Sequence, residues 1–290
     1  MSDWTLGIIG GSGLYQLDAL EDAHWVSVDT PWGAPSDDLL IGHIQGIKCV
    51  FLPRHGRGHF IGPSQLNFRA NIDALKRQGV TDIVSISAVG SLTEKMAPGH
   101  FVAVDQFIDR TFAREKSYFG DGVVAHVSMA EPVCPRLRDK AAMAARNAGA
   151  TVHDSGTYLA MEGPQFSSKA ESNMYRGWGA DVIGMTAMPE AKLAREAELP
   201  YALIGMVTDY DCWRDNETPV EVEAIIAQLG ANAATARALV EYLVKALPEK
   251  REASPIDTVL DTALITDPSA YKPALIAKLD AVAGRVLGAD

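Results

Sequence analysis

Short apolar runs, each about the length of one strand, recur along this 290-residue chain, and most of them close on small residues. "TLGIIGG", "DIVSISAVG", "YLAMEGP", "DVIGMT" and "YALIGMVT" are such runs, and helix-like stretches separate them. The segment Pro63 to Gly79 predicts one of those helices. It has a proline near its start, Leu66, Ala70, Ile72 and Leu75 toward one face, and a glycine to close it. "PRLRDKAAMAARNAG" predicts another, stopped at Gly149, and a long helix is expected from about Pro219 to Ala246. Strands alternating with helices imply an α/β fold with a central sheet covered by helices. In such folds ligands sit beyond the carboxyl ends of the strands. The small residues that close each run therefore mark where a site is expected.

Near Pro248 the pattern changes. "PEKREASP" is charged and bounded by prolines and reads as a linker, so residues 1–247 are expected to form the main domain. Residues 248–290 are expected to add a C-terminal extension of two short helices. Acidic residues outnumber basic ones, 37 to 26, for a formal net charge of −11. That balance argues against nucleic acid as a partner, because phosphate backbones require clustered Lys and Arg. It does not argue against a small anion, which local donors decide. Cys49, Cys134 and Cys212 lie far apart without a CxxC spacing, which points to a reducing compartment. The first residues lack the basic and apolar regions of a signal peptide, and no apolar run approaches the ~20 residues of a membrane helix. A soluble cytoplasmic protein with no membrane partner is expected.

Each strand end carries its own chemistry. "GIIGGSGLY" can bring backbone N–H groups and the Ser12 hydroxyl to an anion, or can serve only as a tight turn. A dinucleotide fingerprint nearly fits there, with Asp29 where a ribose-binding acid would fall. Gln16 occupies its last glycine position, however, and the next strand-like run follows too soon for a crossover helix. "FLPRHGRGHF" places Arg54 and His55 side by side, either as anion donors or as part of a solvated basic loop. His55 and His59 have the spacing of a metal pair on a helix, but the glycines between them oppose a helix and no HExxH glutamate is present. "ISAVGSL" ends in Ser87, Ala88 and Gly90. "MEGPQFSSKAES" offers the acid Glu162, the ring of Phe166 and a helix start at Ser167 or Ser168. "TDYDCW" sets Asp209 and Asp211 two positions apart just past a strand, as a turn would or as a site would.

Taken together and in order, "GIIGGSGLY", "RHGRGH", "SAVGSL", "MAEPVCP", "EGPQFSSKAES", "ADVIGMTAMPEAKLA" and "TDYDCW" resemble the trimeric purine nucleoside phosphorylase superfamily. Within it they are most similar to the branch acting on 5'-methylthioadenosine. The similarity spans about residues 5 to 246. It implies a single domain with a mixed β-sheet flanked by helices, a homotrimer, and no cofactor or metal beyond phosphate as co-substrate. The implied reaction is phosphate attack on the anomeric carbon, giving adenine and 5-methylthioribose 1-phosphate. By resemblance, Ser12, Arg54, His55, Ser87 and Thr186 match phosphate ligands. Ala88 and Met185 line the sugar, and Phe166, Ser167 and Thr208 belong to the nucleoside site. Asp209 and Asp211 face the purine edge, with Asp209 the acid toward N7. Val222 and Ile226 enclose the 5'-methylthio group, and His126 reaches that group from a neighbouring subunit. One position departs: Gly184 stands where some relatives carry Asn.

The chemistry agrees with the implied reaction. A departing purine gathers negative charge, and a carboxylic acid at N7 can supply the proton. An Asp near its usual pKa of about 3.9 is ionised at neutral pH, so the site must raise it. Adenine offers a donor at N6 and an acceptor at N7, which two acids suit, whereas a 6-oxopurine suits an amide such as Asn. Four readings remain beside this one: a phosphorylase for methylthioinosine, inosine or guanosine, a hydrolytic nucleosidase, a non-catalytic nucleoside-binding module and an NAD-dependent enzyme.

Overall fold

The computed structural model describes residues 4–288 apart from 12, 16, 121 and 216–221. The first six strands are β1 (Thr5–Gly10), β2 (Glu21–Val26), β3 (Leu39–Ile44), β4 (Ile47–Pro53), β5 (Asp82–Ser91) and β6 (Phe101–Val104). β7 (Gln106–Asp109), β8 (Val152–His153), β9 (Thr157–Ala160), β10 (Val182–Gly184) and β11 (Tyr201–Asp209) follow. Between and after them come α1 (Phe68–Arg77), α2 (Pro135–Asn147), α3 (Lys169–Gly177), α4 (Ala187–Glu196) and α5 (Val222–Ala246). The expected start of α5 at residues 219–221 lies outside the described residues.

All the strands join one mixed sheet. Its path runs β2-β3-β4-β1-β5-β10-β9-β7, and β11, β6 and β8 branch from β5. β5 pairs in parallel with β1 and with β11, and in antiparallel fashion with β10 at its far end. The sheet therefore forks at the carboxyl end of β5. Side chains alternate across it as strand geometry requires. Leu6, Ile8, Val84, Ile86, Ala202 and Ile204 face a core shared with α2 and α5. Ile9, Ile83, Val89, Leu203 and Val207 face a second core shared with α1 and α4.

The helix expected over 63–79 is two pieces. A 3-10 turn covers Pro63–Gln65, and α1 begins only after Asn67, whose side chain caps it by accepting from the Ala70 amide. Asn is a strong N-cap residue, and its local hydrogen bond competes with a continuous helix. Beyond residue 247 the chain forms more than two short helices: 3-10 turns at Pro255–Thr262 and Pro268–Ala270, then α6 (Pro273–Ile276) and α7 (Asp280–Leu287). Buried acids of the domain hold this segment. Arg251 donates to Asp82 and to Asp257, and Arg285 donates to Glu198 at 2.6–2.8 Å. Among the described residues no helix is long and apolar enough to cross a membrane.

Candidate active site

A cavity of about 820 Å³ opens at the fork, where the carboxyl ends of β1, β4, β5, β10 and β11 converge. Of the residues singled out in the sequence, Arg54, His55, Ser87, Ala88, Phe166, Met185, Thr186, Thr208, Asp209, Asp211, Val222 and Ile226 all line it. Ser12 lies outside the described residues. Ser167 and His126 are not on the wall of this chain's cavity. The Ser167 hydroxyl turns to the Met161 sulfur at 3.7 Å, and its carbonyl accepts from the Cys212 thiol. His126 is exposed, and its amide donates to the Ala263 carbonyl, which ties it to the C-terminal segment.

At one end, Arg54 leaves β4 and is almost wholly buried. Its Nε donates to Glu190 at 2.9 Å, and both side chains are only 2 % exposed. Its Nη2 donates to the Ser85 hydroxyl at 2.5 Å and to Glu190 at 3.3 Å. Ser85 and the Tyr201 hydroxyl donate to the same Glu190 oxygen at 2.7 and 2.8 Å. Burial alone would lower the pKa of the guanidinium, but the charge and hydrogen bonds of Glu190 outweigh it and raise the value. The result is a fixed cation whose Nη1, among the described residues, makes one long contact, 3.4 Å to the Ile86 carbonyl. Nη1 therefore keeps hydrogen-bonding capacity toward a ligand.

Beside Arg54, the Ser87 and Thr186 hydroxyls lie 3.3 Å apart. Thr186 stands at the start of α4 yet makes no side-chain cap bond, so its hydroxyl stays with the cavity. His55 differs from its sequence reading as a donor. Its Nδ1 lies 2.9 Å from the Ile61 carbonyl, which can only accept, so Nδ1 carries the proton. Burial, with Arg54 adding, pulls its pKa down to about 4. The ring is neutral near pH 7, and Nε2 is an acceptor. His55 and His59 stack with ring centroids 4.2 Å apart, and no group of three His, Cys, Asp or Glu side chains among the described residues is arranged to hold a metal.

At the other end stand the two acids of "TDYDCW". The pairing of β11 with β5 slips between Val207 and Asp209, and such a bulge re-aims side chains. Thr208 and Asp209, neighbours in sequence, consequently both reach the cavity wall. The Thr208 hydroxyl donates to Asp209 Oδ2 and the Asp211 amide to Oδ1, each at 2.7 Å. Gly90 makes room for this carboxylate, since a Cβ there would sit 2.9 Å from Asp209 Oδ1. Burial raises the Asp209 pKa against those two hydrogen bonds. Asp211 has φ 52°, a left-handed conformation uncommon for a residue with a side chain. Burial raises its pKa too, opposed by the Ser172 hydroxyl and aided by the charge of Asp209. Its Oδ2 is buried without a hydrogen bond of normal geometry.

Between the ends, Phe166 presents a ring that is 44 % exposed. α5 lays Val222, Ile225, Ile226, Leu229 and Ala233 along the rim, at the three- and four-residue spacing of one helix face. The Gly184 departure also has a structural counterpart. A Cβ at that position would lie 2.0 Å from the Tyr158 hydroxyl, which accepts from the Thr186 amide at 3.3 Å. The phenol fills the space a side chain at 184 would need. Sequence reasoning missed Tyr158, Glu190 and Arg114, because each is buried behind the wall and is brought to it only by the fold. The acid Glu162 is not on the wall: its Oε2 accepts from the Phe112 and Ala113 amides.

An anion seat, a pair of acids with raised pKa values and an apolar rim in one strand-end cavity define a nucleoside-type site. Consistent with that, residues 5–245 match the family model described as "Phosphorylase superfamily", and the chain belongs to this family. The relatives narrow the branch. A protein of Cereibacter sphaeroides named S-methyl-5'-thioadenosine phosphorylase is 61% identical, with 97% of this chain and 98% of the relative covered. One of the same name from Bradyrhizobium diazoefficiens is 58% identical over 99% of each. A crystal structure of a methylthioadenosine phosphorylase from an antarctic soil metagenomic library superposes with a TM-score of 0.92. It is 46% identical, with 97% of this chain and 99% of that chain covered.

Proposed function

We propose that this chain catalyses the phosphorolysis of 5'-methylthioadenosine to adenine and 5-methylthioribose 1-phosphate, a reaction of purine and methionine salvage in the cytoplasm. The observation that carries the reading is the acid pair. Asp209 has both oxygens held by neighbouring donors, Asp211 stands beside it on a left-handed backbone, and burial raises the pKa of each. A purine edge with an acceptor at N7 and a donor at N6 complements that pair. The N6 amine would donate to Asp211 while Asp209 meets N7.

In the reaction, an oxygen of HPO₄²⁻ forms a bond to C1' while the C1'–N9 bond breaks and its electron pair stays on the purine. Asp209 donates a proton to N7, the role of a general acid. The phosphate loses its own proton to solvent as it becomes the sugar ester, while the neutral Nε2 of His55 can accept a hydrogen bond from the phosphate hydroxyl before that. Solvent then returns that proton to Asp209, and the books balance. Arg54, Ser12, Ser87 and Thr186 hold the phosphate opposite the forming ribosyl cation, where fixed donors act most strongly. Ala88 and Met185 flank the ribose, and Phe166 and Ser167 flank the base. Val222 and Ile226 face the methylthio group. No metal or cofactor enters these steps.

The exposed position of His126 supports a shared site, in which it completes the 5' end of a neighbour's cavity within a homotrimer. Adenine release followed with and without phosphate tests the reaction. Phosphate-dependent release is expected with methylthioadenosine and much less with inosine or guanosine, and equal release without phosphate would establish a hydrolase. Sedimentation is expected to show a trimer of the 31.1 kDa chain, and a fully active monomer overturns the shared site.

A further inference from the structure

Arg114 comes from the loop after β7 and is absent from the cavity wall, yet its side chain is only 1 % exposed. Its Nη1 donates to the Met185 carbonyl at 2.5 Å and to the Met188 carbonyl at 2.7 Å. Nη2 donates to the Glu162 carbonyl at 2.7 Å, with the Met161 carbonyl and the Ser64 hydroxyl both at 3.4 Å. Nε faces Glu162 Oε1 at 3.4 Å, the one counter-charge in contact. A guanidinium has five N–H donors, and these partners account for all of them. Arg114 therefore has nothing left to offer a ligand.

What it holds is the wall itself. The Met185 and Met188 carbonyls belong to the turn that enters α4, where Met188 departs from helical geometry at φ −118° and ψ 132°. The Met161 and Glu162 carbonyls belong to the strand end that leads to Phe166. Met185 is wedged between the two segments: a Cβ on Gly163 would lie 2.5 Å from its sulfur. Burying a cation is unfavourable unless every donor is paired, so a guanidinium retained here implies that its geometry is in use. Planar and forked, it can serve carbonyls of two turns at once, which an ammonium cannot.

We propose that Arg114, with Glu162 as its counter-charge, is a positioning residue for phosphorolysis that fixes the Met185–Thr186 turn between the sugar and the phosphate. The assignment rests on the reading that Met185 lines the sugar and Thr186 the phosphate. Because Arg114 acts through that turn, its loss falls on kcat and on the KM for phosphate. Adenine alone, held by Asp209 and Asp211 on and just beyond β11, should bind as before.

Arg114→Lys is the first test. It should lower kcat for methylthioadenosine about 10²-fold, the size associated with a misplacement of about 1 Å, and raise the phosphate KM, with adenine Kd within about threefold of the parent. A parent-like kcat overturns the proposal. So does a parallel loss of adenine affinity, the signature of general disorder in the site. If that variant does not fold, Glu162→Gln carries the test. It removes the counter-charge and keeps one of the two acceptor oxygens, and should lower kcat about tenfold with unchanged adenine Kd; a parent-like kcat there overturns the proposal equally. Thr186→Ala and Met185→Ala probe the underlying reading separately. If both leave kcat and phosphate KM unchanged, the wall has been misread, whatever Arg114 does.

Discussion

The two ends of the cavity are built on opposite principles. At the phosphate end every group behind the wall is paired: Arg54, Glu190, Ser85 and Tyr201 close a buried network in which each charge has its counterpart. At the base end both acids carry raised pKa values, and Asp211 keeps a left-handed backbone. At the first end the charges are balanced before any ligand arrives, and Arg54 Nη1 keeps capacity to spare. The second holds two buried acids side by side, the pair that the proposed function sets against the purine edge. Phosphate is common to many substrates and only needs a rigid seat, whereas base selectivity needs polar groups that are costly to leave unmatched.

That contrast breaks most visibly at Glu190. Glu190→Ala leaves Arg54 buried without its counter-charge, which typically costs about 3–5 kcal/mol. Chemical denaturation should show that loss with no ligand present, and phosphate should recover part of it by supplying a replacement anion. A variant as stable as the parent would mean that the phosphate end is not a closed network.

Asp209→Asn should do the reverse. Removing a buried carboxylate that is hard to ionise should leave stability unchanged or slightly higher, while kcat for methylthioadenosine falls about 10²–10⁴-fold, the usual worth of a general acid. The pH dependence carries a sign. Because burial raises the Asp209 pKa, the protonated acid persists above the ordinary carboxylate range. Parental activity should then fall as pH rises through that raised pKa, and the Asn variant should lack this limb. Asp211→Asn should lose less kcat, and inosine should gain relative to methylthioadenosine in the Asp209 variant, since an amide can donate to a 6-oxopurine. Steady-state kinetics across pH with both nucleosides checks all of this. A kcat for Asp209→Asn within a few-fold of the parent removes it from the acid role.

The same contrast explains what could be read along the chain. The strand ends were legible because close approach to a ligand or a carboxylate demands small residues, and Gly90 beside Asp209 is the clearest case. The paired acids alone fit a turn as well as a site, and only the ordered set of motifs around them made them legible. The network behind Arg54 was not. Glu190 looks like an ordinary acid in the first turn of a helix, and only the fold brings Ser85 and Tyr201 to it. Arg114 and Tyr158 were hidden for the same reason, since each acts on backbone from a distant segment. The bulge at Thr208 escaped because a one-residue slip in pairing depends on the partner strand. The sequence also could not show that Nδ1 of His55 is taken by the Ile61 carbonyl, since that contact depends on how the loop folds back.

The smallest effect is expected at the rim of α5, and it separates binding of the base from recognition of the 5' group. Val222 and Ile226 are 58 % and 61 % exposed, so truncating them removes little core packing. Val222→Ala and Ile226→Ala should therefore leave stability within about 0.5 kcal/mol of the parent, as surface changes usually do. A methylthio group in an apolar pocket gains only about 1–3 kcal/mol over a smaller or more polar substituent. If these two side chains supply that contact, each alanine should lower kcat/KM for methylthioadenosine about three- to tenfold, while adenosine, with a hydroxyl at the same position, changes less. The ratio of kcat/KM for the two nucleosides is the quantity to measure. A ratio equal to the parent's would show that the rim does not touch the 5' group.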